Sequence, residues 1–254
     1  MAYRYDLHCY TNEGSKCSDM SAKEMVRLYH ELGYSGICIT DHFTNQMNPL
    51  ADDAPWSERV NLSYDIFQSA YKEGKTLGLS VFWGIEYSLA PDIDRPSQTT
   101  GTDFLIFNIK KDWLIENKEV FRTSPKDMFK TLRENGGYII HAHPMFGDEL
   151  ILFPRYVDAV EVINGGAGDT CNENAKIYAK LYGLAETAGT DIHRYDQRIM
   201  AGMETKTPCN TLCELINAIK TGQANPFYIT REISEYWEQK QDTASEIRKR
   251  RNLS

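Results

Sequence analysis

The stretch Ile37-Cys38-Ile39-Thr40-Asp41-His42 is a short apolar run, typical of a buried β-strand, that ends in an acid and an imidazole. Comparable runs recur along the chain and end in the same kinds of residue, namely His8, Glu86, His141, His143, Asp191 and His193. Five of the six histidines therefore lie at the ends of strand-like segments. Such a distribution predicts a site built from several strands.

Strand-like and helix-like segments alternate along the 254 residues, which predicts an α/β fold with parallel strands wrapped by helices. Helix starts are marked by a capping box at Ser21 to Glu24 and by Ser124-Pro125. We expect one barrel-like domain over residues 1–232, followed by a charged C-terminal tail over 233–254. Seven strands are predicted, at about 3–9, 36–42, 80–86, 103–109, 137–143, 158–164 and 185–191.

Composition narrows the class of function. A net charge of −8 and a pI near 5.3 argue against a nucleic-acid polymer as partner, because phosphate backbones require clustered Lys and Arg. The six cysteines form no C-x-x-C pair, and we interpret them as reduced thiols of a cytoplasmic protein. We expect no signal peptide, since the N-terminus runs straight into the first strand, and no membrane partner.

Parallel strands in β/α units direct their carboxyl ends to the same rim, so these scattered side chains are expected to converge there. Because side chains alternate along a strand, Asp191 should face the same way as His193, and His141 the same way as His143. The two oxygens of Glu86 can bridge two cations. A mixed set of imidazoles and carboxylates suits Zn, Mn or Fe, and such a site usually indicates metal-assisted hydrolysis.

Several stretches together resemble one family, and they occur in that family's order over roughly residues 3–195. They are Asp6-Leu7-His8-Cys9-Tyr10-Thr11, Ile39-Thr40-Asp41-His42, Gly84-Ile85-Glu86, Ala142-His143-Pro144 and Thr187 to His193. On these motifs the chain resembles the PHP (polymerase and histidinol phosphatase) superfamily of metal-dependent phosphoesterases. The resemblance implies a distorted TIM-like (β/α)7 barrel, in agreement with the seven expected strands.

The resemblance also implies the metal ligands. A first ion would be held by His8, Glu86 and Asp191, a second by Glu86 and His143, and a third by His42 and His193. The chain departs from the family at Tyr10, which replaces a second histidine of the first motif, and at Asp103, which stands where some members have a histidine. Either residue could act as a weaker ligand. We expect between one and three divalent ions, with one or two favoured.

A third-metal histidine that some members carry after the first motif is also missing. Lys16 and Cys17 stand in that neighbourhood, and we do not expect the Cys17 thiol to be a ligand. For Asp41 and Glu161 a structural role is expected, whereas Asn164 could bind substrate or cap the barrel.

The activity implied by the resemblance is hydrolysis of a small phosphorylated metabolite or nucleotide by a metal-activated hydroxide at the C-terminal rim. Asp191 and His193 would be catalytic, Arg194 would stabilise negative charge on the phosphoryl group, and His141 could serve as an acid/base or an extra ligand. One alternative is a catalytically degenerate barrel that binds metal or phosphate in a regulatory role, as Tyr10 suggests. A hydrolase of the amidohydrolase group is ranked last, because the H-x-H of the first motif is not intact (His8-Cys9-Tyr10) and no bridging lysine is visible on a middle strand.

Overall fold

The computed structural model describes residues 2–89, 101–146 and 154–252. The strands in these ranges are β1 (Tyr3–Cys9), β2 (Gly36–Ile39), β3 (Ser80–Ser88), β4 (Asp103–Phe107), β5 (Tyr138–His141), β6 (Ala159–Asn164), β7 (Ala185–Gly189), β8 (Ile199–Thr205) and β9 (Ala224–Thr230). The α-helices are α1 (Ala22–Glu31), α2 (Trp56–Leu77), α3 (Lys111–Glu116), α4 (Pro125–Glu134), α5 (Asp169–Tyr182), α6 (Leu212–Lys220) and α7 (Glu235–Asn252), and a 3-10 helix spans Lys118–Arg122.

All the described strands belong to one sheet with the order β7-β6-β5-β4-β3-β2-β1-β8-β9. The sheet curves until β7 approaches β1, where the Asp191 amide donates to the His8 carbonyl oxygen over 2.9 Å. Gly189 permits this approach, because a Cβ atom there would lie 2.4 Å from the His8 Cβ. The expected distorted TIM-like barrel is therefore confirmed.

Strand direction differs from the all-parallel expectation in one part of the barrel. The strand β4 is antiparallel to both of its neighbours, with Ser88 paired to Asp103 and Phe104 paired to His141. Strand β3 ends at Ser88 and β4 begins at Asp103, and residues 90–100 between them lie outside the described ranges. The start of β4 consequently lies beside the ends of β3 and β5.

Two strands were not predicted. The strand β8 pairs antiparallel with β1, and β9 pairs antiparallel with β8. Gly202 weakens the strand signal of β8, yet the close packing requires it, since a Cβ atom there would lie 2.3 Å from the Tyr5 carbonyl oxygen. Pro226 is compatible with β9 because this strand is at the end of the sheet order.

Helix boundaries follow local capping chemistry. The predicted capping box of Ser21 and Glu24 is present at the start of α1. The pair Thr207-Pro208 is typical of a helix start, but α6 begins after Thr211, where Thr211 and Glu214 form a second capping box.

The last helix packs against the first. The indole Nε1 of Trp237, which is buried, donates to Glu31 over 2.9 Å, and the Lys240 ammonium lies 2.7 Å from a Glu24 oxygen. The start of the segment expected to be a charged tail is thus attached to the barrel. None of the helices in the described ranges combines the length and the apolar character needed to cross a bilayer.

Candidate metal centre

The Glu86 carboxylate lies at the centre of a cluster of imidazoles. It is fully buried near the end of β3, and its Oε1 lies 3.3 Å from His8 Nε2 and 3.5 Å from His143 Nε2. Its Oε2 contacts Nδ1 of His42, which is brought there by a parallel bridge between His42 and Glu86. One carboxylate therefore faces three histidines from different parts of the sheet, which is the arrangement expected of a bridging ligand.

Two further acids adjoin this cluster. The Oδ2 atom of Asp103 lies 4.0 Å from His143 Nε2, which is possible because the reversed β4 begins next to the ends of its neighbours. The Oδ1 atom of Asp191 lies 4.0 Å from His8 Nε2 and 3.4 Å from His193 Nδ1. Of the residues predicted to converge, the structure thus brings together His8, His42, Glu86, His143, Asp191 and His193.

Several carboxylate oxygens of the cluster are buried without a hydrogen-bond donor. Within the described part of the chain, both Glu86 oxygens, Asp103 Oδ1 and Asp191 Oδ1 are buried and lack a hydrogen bond. Burying a carboxylate without a partner is costly unless a positive charge compensates it. The nearby imidazole nitrogens and unsatisfied oxygens form a donor set that fits a divalent cation of the Zn, Mn or Fe type. His8, Glu86 and His143 each offer a ligand atom within 4.8 Å of the others.

Glu161 orients the His8 ring through Nδ1, the nitrogen that does not face Glu86. Its Oε1 lies 3.0 Å from His8 Nδ1, and its Oε2 accepts from the His143 amide over 3.0 Å and from Asn164 Nδ2 over 2.9 Å. Because a carboxylate accepts, Nδ1 carries the hydrogen, and in the neutral ring Nε2 carries the lone pair that faces Glu86. The sequence signal for this interior position was a charged residue between Val160 and Val162. The structural role expected for Glu161 has a chemical consequence, because Glu161 fixes the orientation of a candidate metal ligand.

Asn164 contacts Asp191 as well as Glu161. Its Nδ2 donates to Asp191 Oδ2 over 3.1 Å, and its Oδ1 accepts from the amides of Gly166 and Ala167. Asn164 therefore holds Asp191 and Glu161 in fixed positions relative to each other.

Tyr10 fills the space between the histidines. Its ring centroid lies 4.5 Å from that of His42 and 4.6 Å from that of His193, and its hydroxyl lies 2.6 Å from His8 Nε2. Burial raises the pKa of Tyr10 well above its usual value, so the hydroxyl is protonated and donates to the Nε2 lone pair of the neutral His8 ring. The phenol thus acts as a hydrogen-bond donor in this arrangement.

His141 is separated from the other imidazoles. Its ring stacks on Phe104 at 4.9 Å and meets the edge of Tyr178 at 6.1 Å, and burial lowers its pKa to about 3. The expected alternation does not carry over to His143, because β5 ends at His141 and His143 adopts a φ of 25°. His141 is therefore a neutral ring packed among aromatic side chains, whereas His143 turns toward Glu86.

The remaining predicted residues of the last motif differ in exposure. Asp191 adopts a φ of 55° just beyond β7, a conformation that is unusual for a residue other than glycine. His193 donates from Nδ1 to the Asp191 carbonyl oxygen over 2.9 Å. Arg194 is exposed, and its guanidinium forms a bidentate ion pair with Asp196.

Asp41 organises the loop after β1, in agreement with its expected structural role. Its carboxylate accepts from the Thr11 amide over 2.7 Å and from the hydroxyls of Thr11 and Ser15 over 2.8 Å each. Gly14 is required beside it, because a Cβ atom at that position would lie 2.5 Å from Asp41 Oδ2. This loop carries Cys17, which sequence reasoning did not single out as a ligand, to within reach of His42 and His193.

The ionisation of each acid and imidazole in the cluster depends on the charges of its neighbours. Burial alone would lower the pKa of His143, but the Glu86 carboxylate outweighs it and raises that pKa to about 9. Burial opposes ionisation of Glu86, yet His42, His143 and His8 hold the pKa of Glu86 well below its usual value. Without a cation the His143 imidazole retains its proton at neutral pH, so a metal bound there must displace that proton and binds more weakly at low pH.

The chain matches the family model of the PHP domain over residues 6–244. No curated protein matches the chain at a significant level. Among solved structures it is similar to a two-domain protein from Bacteroides vulgatus that contains a predicted PHP-like metal-dependent phosphoesterase. The two share 15% identity with a TM-score of 0.65, over 89% of this chain and 65% of that one. The chain therefore spans just under two thirds of that protein's length.

Two further solved structures share the fold along nearly their whole length. PsfC from Pseudomonas syringae is 16% identical with a TM-score of 0.59, over 98% of both chains. An amidohydrolase from Chromobacterium violaceum, with bound sulfate and no metal, is 13% identical with a TM-score of 0.56, over 89% of this chain and 97% of that one. At these identities the similarity establishes the fold, and the match of the family model over most of the sequence establishes the family. The chain belongs to the PHP domain family, whose members include PHP-like metal-dependent phosphoesterases.

Proposed function

We propose that the protein is a metal-dependent phosphoesterase that hydrolyses a small phosphorylated metabolite or nucleotide in the cytoplasm. One observation carries the proposal: the buried oxygens of Glu86, Asp103 and Asp191 lack hydrogen bonds within the described residues and face a group of imidazoles. A site of this composition suits a divalent cation. The net charge of −8 favours a small substrate over a nucleic-acid polymer or an anionic membrane surface.

Each residue of the centre has a role in this proposal. His8, Glu86 and His143 would hold a divalent ion, with Asp191 and Asp103 beside them, at the carboxyl ends of the barrel strands. A bound cation supplies Lewis acidity and brings the pKa of water toward neutrality. Glu161 keeps the His8 lone pair directed at the site.

The residues around the ion would handle the proton and the phosphoryl charge. Asp191, whose Oδ1 lacks a hydrogen bond within the described residues, would accept a proton from the attacking water. Arg194 lies on the same loop and would exchange its ion pair with Asp196 for the phosphoryl oxygens.

The test combines metal content with hydrolysis of an aryl phosphate in the presence of Mn, Zn or Fe. We expect His143→Ala and Asp191→Ala to lose bound metal and activity together, because each removes a group that faces Glu86 or His8. His30→Ala, on the exposed surface of α1, is the matched control and should retain both. Full metal stoichiometry in both site variants would refute the assignment.

A second function is favoured by one contact. Tyr10 donates to the nitrogen of His8 that a metal would otherwise use, which fits a catalytically degenerate barrel that binds metal or phosphate in a regulatory role. Metal-loaded protein without turnover of any phosphoester would support this alternative.

A further inference from the structure

A second donor set lies on the other side of Tyr10. The Sγ atom of Cys17 and one imidazole nitrogen each of His42 and His193 lie within 4.8 Å of one another. The family resemblance implied an ion at His42 and His193, but Cys17, which is partly buried and follows no strand, was not expected to be a ligand.

The backbone on both sides of Cys17 is held by hydrogen bonds. The Lys16 amide donates to the Met47 carbonyl oxygen over 2.7 Å, and the Asp19 amide donates to the His193 carbonyl oxygen over 2.9 Å. The second bond attaches the loop directly to one of the two histidines. The approach of the thiol to the imidazoles is therefore part of the loop's folded conformation.

The hydrogen bond from His193 to the Asp191 carbonyl oxygen fixes the orientation of the His193 ring. Because the Asp191 carbonyl oxygen can only accept, Nδ1 of the neutral His193 ring carries the hydrogen and Nε2 carries the lone pair. A backbone carbonyl behind a histidine is a common arrangement for metal ligands, since it sets both the tautomer and the ring orientation.

The two donor sets differ in chemistry. His8, Glu86 and His143 combine imidazole with carboxylate, and the unsatisfied oxygens of Asp103 and Asp191 add hard ligands. A thiolate with imidazoles is a softer set that selects zinc over manganese. Three protein ligands leave a fourth tetrahedral position for water or substrate, as in catalytic zinc sites.

We propose that Cys17, His42 and His193 bind a zinc ion through the Cys17 thiolate, beside a harder site at His8, Glu86 and His143. The inference rests on the proposed metal centre and gives it two chemically different halves. Binding releases the thiol proton to solvent and forms a sulfur–zinc bond, with no change in oxidation state.

Cobalt(II) in place of zinc reports the ligand directly, because cobalt–thiolate bonds give an intense near-ultraviolet charge-transfer band that imidazole and carboxylate ligands lack. We expect the band in the wild-type protein and in Cys171→Ser, which alters a partly exposed cysteine on α5. Cys17→Ser should lose the band together with about one equivalent of bound cobalt. Cys17→His should recover the bound ion without the band.

The outcomes separate this inference from the proposed function. Cobalt bound in wild-type protein without a thiolate band would overturn the role of Cys17 and leave the phosphoesterase centre intact. No cobalt binding at all would overturn both proposals. A measurement that needs no variant is alkylation of Cys17 by iodoacetamide, followed by peptide mass. Zinc should protect Cys17 while Cys213, which is exposed, still reacts; equal reaction of Cys17 with and without zinc would contradict the inference.

Discussion

The Tyr10 hydroxyl lies 2.6 Å from His8 Nε2, while the other nitrogen of that ring is held by Glu161 at 3.0 Å. The neutral His8 ring therefore has one lone pair available, and the Tyr10 hydroxyl donates to it. A cation bound by His8 must displace this hydrogen bond. The residue that departs most from the family's first motif thus competes directly with the proposed metal.

Replacing Tyr10 with Phe should tighten metal binding. The change keeps the ring that stacks on His42 and removes only the competing donor. A hydrogen bond of about 1 kcal/mol corresponds to roughly a fivefold increase in affinity, which calorimetric titration with Mn or Zn would measure. Tyr228→Phe, on the exposed side of β9, is the control. A weaker affinity in Tyr10→Phe would show instead that the phenol is a ligand.

Glu161→Gln should weaken metal binding without removing a ligand. The amide cannot hold the His8 Nδ1 hydrogen as a carboxylate does, so the ring loses orientation and basicity. Loss of such a supporting partner typically lowers affinity by roughly 10- to 100-fold. Glu186→Gln, a partly exposed acid on β7, should bind metal normally. Unchanged affinity in Glu161→Gln would mean that His8 is oriented by other contacts.

Gly189→Ala should disturb the centre through packing. The added Cβ would lie 2.4 Å from the His8 Cβ and 2.6 Å from Glu161 Oε1, so β7 must move away from β1. Overpacking of this kind costs about 1–3 kcal/mol of the free energy of unfolding. Denaturant unfolding should show this loss together with weaker metal binding. Gly168→Ala is the control, because its Cβ would meet no atom within 4 Å, and equal stability of both variants would contradict the close approach.

Glu24→Gln should destabilise the protein at neutral pH by an amount that shrinks in acid. Burial alone would raise the pKa of Glu24, but hydrogen bonds from Lys240, Ser21 and Tyr195 lower it to about 2. A lowered pKa stabilises the folded state above the unfolded value of about 4.3, and this stability is lost as the pH falls toward 2.

Allowing for solvent screening, the loss at pH 7 should be on the order of 1 kcal/mol. Thermal unfolding of Glu24→Gln and wild type between pH 7 and pH 3 measures the difference. Glu232→Gln, in an exposed loop, should show no comparable pH dependence. A difference that stays constant in acid would indicate that Glu24 acts through packing alone.

Local sequence patterns predicted much of the barrel because they report local physics. Apolar runs that end in His8, His42 and Glu86 indicated buried strands whose ends meet, and the structure places these side chains in contact. Their role as metal ligands stays a prediction. The strands β8 and β9 were not predicted because Gly202 and Pro226 weaken their sequence signals. Gly202 suits the close packing of β8 against β1, and Pro226 suits the position of β9 at the end of the sheet order; both are properties of the assembled sheet.

By itself the sequence determined which residue types end the strands, and hence that acids and imidazoles would share one site in a PHP-type barrel. The tertiary structure alone decided how they meet. The reversal of β4 brings Asp103 to the cluster, and the loop around Asp41 brings Cys17 to His42. These placements depend on strand direction and on hydrogen bonds between residues far apart in the chain, and periodicity within a single segment carries no information about either.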